Sequence, residues 1–386
     1  MNDQTKRGWA KADRTFLEQY RFDEERFRAL QERVASGQLN KTSTVLQGHI
    51  EPPGPDDVVE LPSLSSSEGQ RLLALGQASL RRGELAVVVV AGGMATRFGG
   101  GAKGVVEVKH GESFIGLEVR DGRRAAEKYG HAVPLGIMTS FATHQPIVEH
   151  LEAKKLAGPH VHLFTQGVAM RLTPDGAVAV DDDGAPSYYA PGHGEFFEAI
   201  KTRGPDGKSL LEHWPQVKTV FFKNVDNKGA TIASDLFAVI LGLHLDKEHD
   251  MTAEVVAKNE GDAGGVVARV DGRLRGVEGF RLTGDQSVFP DFSPNNLLFR
   301  KAVLLQEIPM EHHYVEKKVD GQTVVQLEQV ALEASGVKSL RFGAVRVPRD
   351  RFLPVKEPKD LGTLQQALEG ELGKEYGFPG GTGELK

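Results

Sequence analysis

The sequence predicts an α/β protein with a doubly wound mixed sheet from about residue 84 to 345, a helical segment over 1–83 and a short C-terminal segment over 346–386. Three observations carry this. Residues 85–90 read Leu-Ala-Val-Val-Val-Val, a β-branched, wholly apolar run of the kind a parallel strand buried on both faces requires. Similar runs recur at 135–138, 161–164 and 217–222, with helical stretches such as 122–128 and 143–156 between them, the alternation that builds right-handed crossovers. With 39% apolar and 26% charged residues, the 386-residue chain also has the balance of a folded globular protein.

Before the sheet, Phe16, Tyr20, Phe27, Leu30 and Val34 recur at helical spacing over residues 11 to 35, predicting a helix with one buried face. A Pro-rich link follows at 51–55. Ser65 with Glu68 three residues on forms a capping-box signature, opening a second helix that ends near Gly83. Within the sheet region, 168–180 around Pro174-Asp175-Gly176 and 266–282 around Val270-Asp271-Gly272-Arg273 read as inserted antiparallel β-ribbons. The glycine-rich end, 378–383, reads as a loose tail.

Charge and composition exclude several function classes. Lys and Arg number 47 against 53 Asp and Glu, a net −6, so no broad cationic surface for nucleic acid or an anionic membrane is expected. Cysteine is absent, which removes disulfides, thiolate nucleophiles and sulfur-based zinc sites. The N-terminus lacks the apolar stretch of a signal peptide and no run is long enough to span a membrane, so a cytoplasmic protein is expected.

The chemistry begins directly after the first buried strand, in Ala91-Gly92-Gly93-Met94-Ala95-Thr96-Arg97-Phe98-Gly99-Gly100-Gly101-Ala102-Lys103-Gly104. Such a loop leaves the carboxyl edge of the sheet, where open α/β folds bind ligands, and its glycines let backbone N–H groups approach an anion. A P-loop is ruled out, because Lys103 follows Ala102 and precedes Gly104. Gly99, Gly101 and Gly104 fit G-x-G-x-x-G by spacing but sit too far beyond the strand to form a dinucleotide site. The segment closely resembles the L-x-G-G-x-G-T-R-x-G and P-K-G loop of nucleotidyltransferases that make nucleotide sugars. Ala95 stands for its third glycine and Ala102 for its proline.

Seven further segments resemble, in order, the eukaryotic-type UDP-glucose pyrophosphorylases, also called UTP–glucose-1-phosphate uridylyltransferases. They are Met138-Thr139-Ser140-Phe141, Phe164-Thr165-Gln166, Pro191-Gly192-His193-Gly194, the run from Asn224-Val225-Asp226-Asn227 to Thr231, Asn295-Asn296-Leu297, Gln326-Leu327-Glu328 and Arg351-Phe352-Leu353-Pro354-Val355-Lys356. The resemblance covers residues 85 to 362. It implies a Rossmann-like, GT-A-like sheet and the conversion of UTP and glucose 1-phosphate to UDP-glucose and pyrophosphate with Mg²⁺.

By the same resemblance, Arg97, Lys103 and Lys356 serve the phosphates, and Asp226 is the Mg²⁺ residue, fitting a carboxylate at a strand's carboxyl end. Gly92, Gly93, Gln166, Gly192 and His193 bind the nucleotide. A glutamine amide carries both donor and acceptor, so Gln166 can read the O4 and N3–H edge of uracil, unless it merely ends a strand. The resemblance puts Glu278, Asn295 and Asn296 at the hexose hydroxyls, against the alternative of turn-forming polar residues. Lys258 is a weaker candidate for the phosphates. A UDP-N-acetylhexosamine or broad-specificity pyrophosphorylase is the alternative within the class, and a decayed nucleotide-sugar-binding regulator, motivated by Ala95 and Ala102, the alternative outside it.

Other constellations are missing or weak. There is no His-Glu-x-x-His, no Gly-x-Ser-x-Gly and no EF-hand loop at Asp181-Asp182-Asp183-Gly184; His312-His313 and His244 with His249 read as structural. Family members continue past the Lys356 segment into a C-terminal β-helix. Only 30 residues follow Lys356 here, so that domain is expected to be missing and the protein to be a monomer or dimer.

Overall fold

The computed structural model describes residues 9, 11–94, 96–259, 261–262 and 264–378. Ala95 and all of the expected tail except Phe378 lie outside the described residues.

The central sheet is built from β1 (Val58–Glu60), β2 (Leu85–Val90), β3 (Leu135–Thr139), β4 (Val161–Thr165), β5 (Thr219–Asn224), β6 (Met251–Ala257), β7 (Leu297–Arg300) and β8 (Phe342–Arg346). Their order across the sheet is β1-β8-β6-β7-β5-β2-β3-β4, and Asp291–Phe292 adds a short pairing to β6. Neighbours run parallel except at β7, which is antiparallel to both β5 and β6. The sheet is therefore mixed, as expected. Alternate side chains feed two cores: Val87, Val89 and Phe221 enter one, while Val88, Val220 and Phe222 enter the other. Burial on both faces explains the unbroken apolar runs.

The long helices α3 (Ser67–Arg81), α4 (Phe114–Tyr129), α5 (His144–Ala153) and α6 (Asp235–Asp246) contribute to the first core. The α3 and α6 backbones meet closely. A Cβ on Gly76 would lie 1.8 Å from the Ala238 carbonyl oxygen, and one on Gly242 would lie 2.0 Å from that of Leu72. Short helical turns such as Phe196–Ala199, Leu210–His213 and Lys301–Leu304 contribute to the second core.

The amino-terminal segment departs from its reading in three ways. The helix expected over 11–35 is two, Arg14–Gln19 and Glu24–Ala35, because Arg21 takes φ +50° and the Asp23 carboxylate caps the second by accepting the Arg26 N–H. The cap of α3 is Ser66, which accepts the Gly69 N–H, whereas Ser65 bonds Ser63. The segment is also not only helical, since β1 buries Val58 beside Val255 and Ala344 and forms a sheet edge.

Both expected ribbons form. Leu172 bridges Val178 around the 174–176 turn. Val266–Val270 pairs with Arg273–Val277, with Asp271 at φ 49° and Gly272 at φ 79°, the two left-handed positions of a tight hairpin turn. At the other end, Phe378 is not tail but packs under the Arg120 guanidinium, 4.4 Å from its ring. No helix among the described residues is long and apolar enough to cross a membrane.

Candidate active site

From β2 the chain winds to β3 and β4 on one side, then returns to β5 on the other. The carboxyl ends of β2 and β5, where Val90 pairs with Asn224, flank the point at which strand order reverses, the crevice that open α/β sheets use for ligands. Two loops leave there. The first, after β2, is pinched by a bridge between Met94 and Ala102 and by the Lys103 N–H donating to the Gly93 carbonyl. Between these pins Gly99, Gly100 and Gly101 take φ of +89°, +101° and +82° with open space around them, so the excursion projects outward. Arg97 stands exposed on it, with its charge felt at Glu357. Lys103 turns back, and its Nζ donates to Asp226 Oδ2, in the second loop, at 2.5 Å.

On the β3 and β4 side, Gln166 follows the last residue of β4 and is almost fully buried. Its Oε1 has no hydrogen-bond partner, and its Nε2 lies only 2.3 Å from where a Cβ on Gly92 would stand. Gly92 is thus required to be glycine by the amide above it, and its carbonyl accepts the Ser140 hydroxyl at 2.9 Å. An orphaned buried amide oxygen is uncommon and suits a ligand N–H.

A cleft of about 190 Å³ gathers His193, Asp226, Glu278, Asn295 and Lys356, five of the expected site residues. A larger groove of about 660 Å³ runs along edge strand β4, but none of those residues lines it. The Ala331 N–H donates to His193 Nδ1 at 3.1 Å, so the neutral ring carries its proton on Nε2. Burial pushes its pKa down to about 4. Gly192, at φ +106°, brings this turn against Gln329, whose carbonyl would lie 2.5 Å from an added Cβ; the small residues thus serve the chain's own backbone contact. Burial, followed by the charges of Glu333 and Glu328, pushes the Glu278 carboxyl up to about 7.

The two asparagines separate. Asn295 takes φ +63°, donates Nδ2 to Asn224 Oδ1 at 3.0 Å and leaves Oδ1 buried without a partner beside the cleft. Asn296 corrects the expectation. It has no exposure, donates to Glu254 at 2.9 Å and accepts from Asn227 at 3.2 Å, so its amide is spent inside the protein and not on a sugar. Lys258 donates to the Gln286 carbonyl at 3.1 Å and does not line the cleft.

The sequence reading missed the layer behind Asp226. Lys223 and Lys228, both without exposure, share the Glu118 carboxylate, the first at 3.0 Å. Burial holds the Lys228 ammonium down at about 8. Arg351 grips Glu254 with two bonds of 2.6 and 3.0 Å, and Asn227 bonds the Arg351 carbonyl and the Leu353 N–H. The turn carrying Asp226 and the segment carrying Lys356 are thereby stitched together. Lysines at the end of a buried strand run were a visible signal; their partner at 118 was not.

The fold and the crevice define an α/β protein built to hold a phosphorylated ligand where strand order reverses. Residues 24–369 match the model of the UTP–glucose-1-phosphate uridylyltransferase family, and the chain belongs to that family. It is 30% identical over 354 residues to UTP–glucose-1-phosphate uridylyltransferase 2 of Dictyostelium discoideum, covering 85% of this chain and 66% of that one. With UTP–glucose-1-phosphate uridylyltransferase of Pyrus pyrifolia the identity is 32% over 303 residues, covering 74% and 62%. The chain thus spans under two thirds of the length of these curated relatives. The fold resembles a variant UDP-glucose pyrophosphorylase from Leishmania major in complex with UDP-glucose, with a TM-score of 0.69, 22% identity and coverage of 94% of this chain and 78% of that one. It is also similar to the uridine diphosphate N-acetylglucosamine pyrophosphorylase from Trypanosoma brucei, with a TM-score of 0.70, 20% identity and coverage of 96% and 85%.

Proposed function

We propose that the protein transfers the uridylyl group of UTP to glucose 1-phosphate. An oxygen of the sugar phosphate attacks the α-phosphorus, the bond from that phosphorus to the oxygen bridging to the β-phosphorus breaks, and pyrophosphate leaves. The observation that carries this is the convergence on one crevice of Lys103, Asp226 and Lys356, three charges from distant parts of the chain. A sugar phosphate has a second pKa of about 6 and is already largely dianionic at neutral pH, so the reaction needs no general base. The difficulty is to hold two polyanions in line, and positioning with charge neutralisation meets it.

In this reading Gln166 and Gly92 receive the uracil, and the unpartnered Gln166 Oε1 takes its N3–H. Gly93 and Gly192 leave backbone near the nucleotide, and His193 presents a neutral Nε2–H donor. Arg97 and Lys103 neutralise the β- and γ-phosphates, Lys356 the reacting phosphates, and Glu278 and Asn295 orient the hexose. Among the described residues no cluster of three or more histidines and carboxylates is gathered for a metal. A single carboxylate nevertheless fits Mg²⁺, which binds through one or two carboxylates plus substrate phosphates. Asp226 would hold it, and Mg²⁺ would supply neutralisation of the triphosphate. The assigned residues all belong to one chain, so one copy suffices.

Pyrophosphate release from UTP and Mg²⁺ with glucose 1-phosphate, N-acetylglucosamine 1-phosphate or galactose 1-phosphate tests the proposal. Release with glucose 1-phosphate alone is expected. Preference for the N-acetyl sugar, the reading favoured by the Trypanosoma neighbour, would move the substrate and keep the mechanism. UTP binding without release from any sugar would indicate a regulator instead.

A further inference from the structure

Three loops bear the charges of the crevice: 91–105 with Lys103, 224–231 with Asp226, and 351–356 with Lys356. Each is tied to the same stretch, residues 357–378. At its start, the Lys356 and Glu357 N–H groups both donate to Asp360 Oδ2 at 2.8 Å. In its middle, the helix Leu361–Ala367 meets the strand that follows the Lys103 loop: Lys109 Nζ donates to the Gln365 carbonyl at 2.8 Å, and the Gln365 amide donates to the Val108 carbonyl at 2.6 Å. At its end, just past the helix Glu371–Glu375, the Tyr376 hydroxyl donates at 2.9 Å to the carbonyl of Lys228, two residues beyond Asp226.

Tyr376 has no exposure, and Leu364 and Leu368 are buried with it in the core that holds α4 and α6. Its ring is therefore a rigid strut, and without its hydroxyl the Lys228 carbonyl would lose this dry partner. The glycines at 99–101 meet no neighbour, so the Lys103 loop has no internal contact there to fix its height over Asp226. Bringing two anions together tolerates little error, since a misplacement of about 1 Å can cost a hundredfold in rate.

We propose that residues 357–378 are an intramolecular clasp that sets the relative positions of Lys103, Asp226 and Lys356, with Tyr376 as its positioning residue. The inference rests on the uridylyltransfer reading only for its kinetic readout. If the segment merely added buried surface, Tyr376→Phe would lower the melting temperature and do nothing else.

Hydrogen exchange on the ligand-free full chain needs no substrate and tests the clasp even if turnover is never seen. Tyr376→Phe should speed exchange in both 224–231 and 103–109, whereas Lys374→Ala, on the exposed side of the same helix, should not. In the transfer assay kcat should fall about tenfold, the size of one lost hydrogen bond of about 1.4 kcal/mol, with KM for UTP little changed. Lys109→Ala should act in the same direction, and its effect combined with Tyr376→Phe should be less than additive, because both release one element. Should Tyr376→Phe fold poorly, Gln365→Ala with Lys109→Ala supplies the same cycle. Faster exchange confined to 361–378, or unchanged kcat, or strictly additive effects would overturn the clasp.

Discussion

Lys103 Nζ and Asp226 Oδ2 lie 2.5 Å apart, joining the loops that leave two adjacent parallel strands, and both side chains keep a fifth or less of their surface exposed. The pair places a cation and an anion on opposite lips of one crevice. Lys103→Ala should lower kcat by a factor of about 10² to 10³, corresponding to about 2–4 kcal/mol of transition-state stabilisation. Pyrophosphate release is the measurement, and near-normal turnover would remove Lys103 from the reaction. Asp226→Asn should instead raise the Mg²⁺ concentration needed for half-maximal rate.

Gly92 and Gln166 make a second pair that can be tested together. Gln166→Ala should weaken UTP binding by about 1–3 kcal/mol, the range for a lost buried hydrogen bond, and erode the preference for UTP over CTP. Gly92→Ala should mimic it, because the new methyl would occupy the space of the Gln166 amide. Calorimetric titration with both nucleotides decides the matter. Retained discrimination in Gln166→Ala would show that the base is read elsewhere.

The adjacent asparagines should behave differently. Asn295→Ala is expected to raise KM for the sugar phosphate with little change in melting temperature. Asn296→Ala should destabilise the fold by about 1–3 kcal/mol, since Glu254 and Asn227 lose a dry partner. Denaturant unfolding alongside kinetics separates the two, and a sugar KM that responded only to Asn296 would reverse the assignment.

Buried histidines set the acid limit of stability. Burial pushes His193 down to about 4 and His244 to about 3, from an ordinary value of 6.5. Between those values and 6.5 the unfolded chain binds protons that the folded chain refuses, so stability falls as pH drops from 6.5 toward 4. Melting temperatures across pH 7.5 to 4.5 should show this loss, and His244→Gln should flatten it. A curve unchanged by that substitution would place the acid sensitivity elsewhere. NMR of His193 should show the Nε2-protonated tautomer with no titration above pH 5.

The parts of this molecule that could be read from sequence are those in which one residue type has one physical use. Buried parallel strands must be apolar throughout, so β2 to β5 announced themselves. Strand β7 did not, because Leu297, Leu298 and Phe299 follow two asparagines and form too short a run to distinguish from a loop. Lys103 and Asp226 were legible because each follows a strand that ends at the same edge. The choice between Asn295 and Asn296 was not, because the left-handed turn at Asn295 gives adjacent amides opposite environments. Nor could spacing pair Glu118 with Lys223 and Lys228, whose meeting depends on how α4 crosses the sheet.

Strand β1 pairs with β8, Val58 lying opposite Ala344. During synthesis, the first strand of the sheet thus emerges from the ribosome long before its partner exists, and that edge cannot close until the chain has reached residue 346. Until then the half-built sheet presents Val255 and its neighbours without their final cover. Folding of this edge is a late, largely post-translational event, and the nascent protein is most exposed to aggregation and to chaperone capture along that flank.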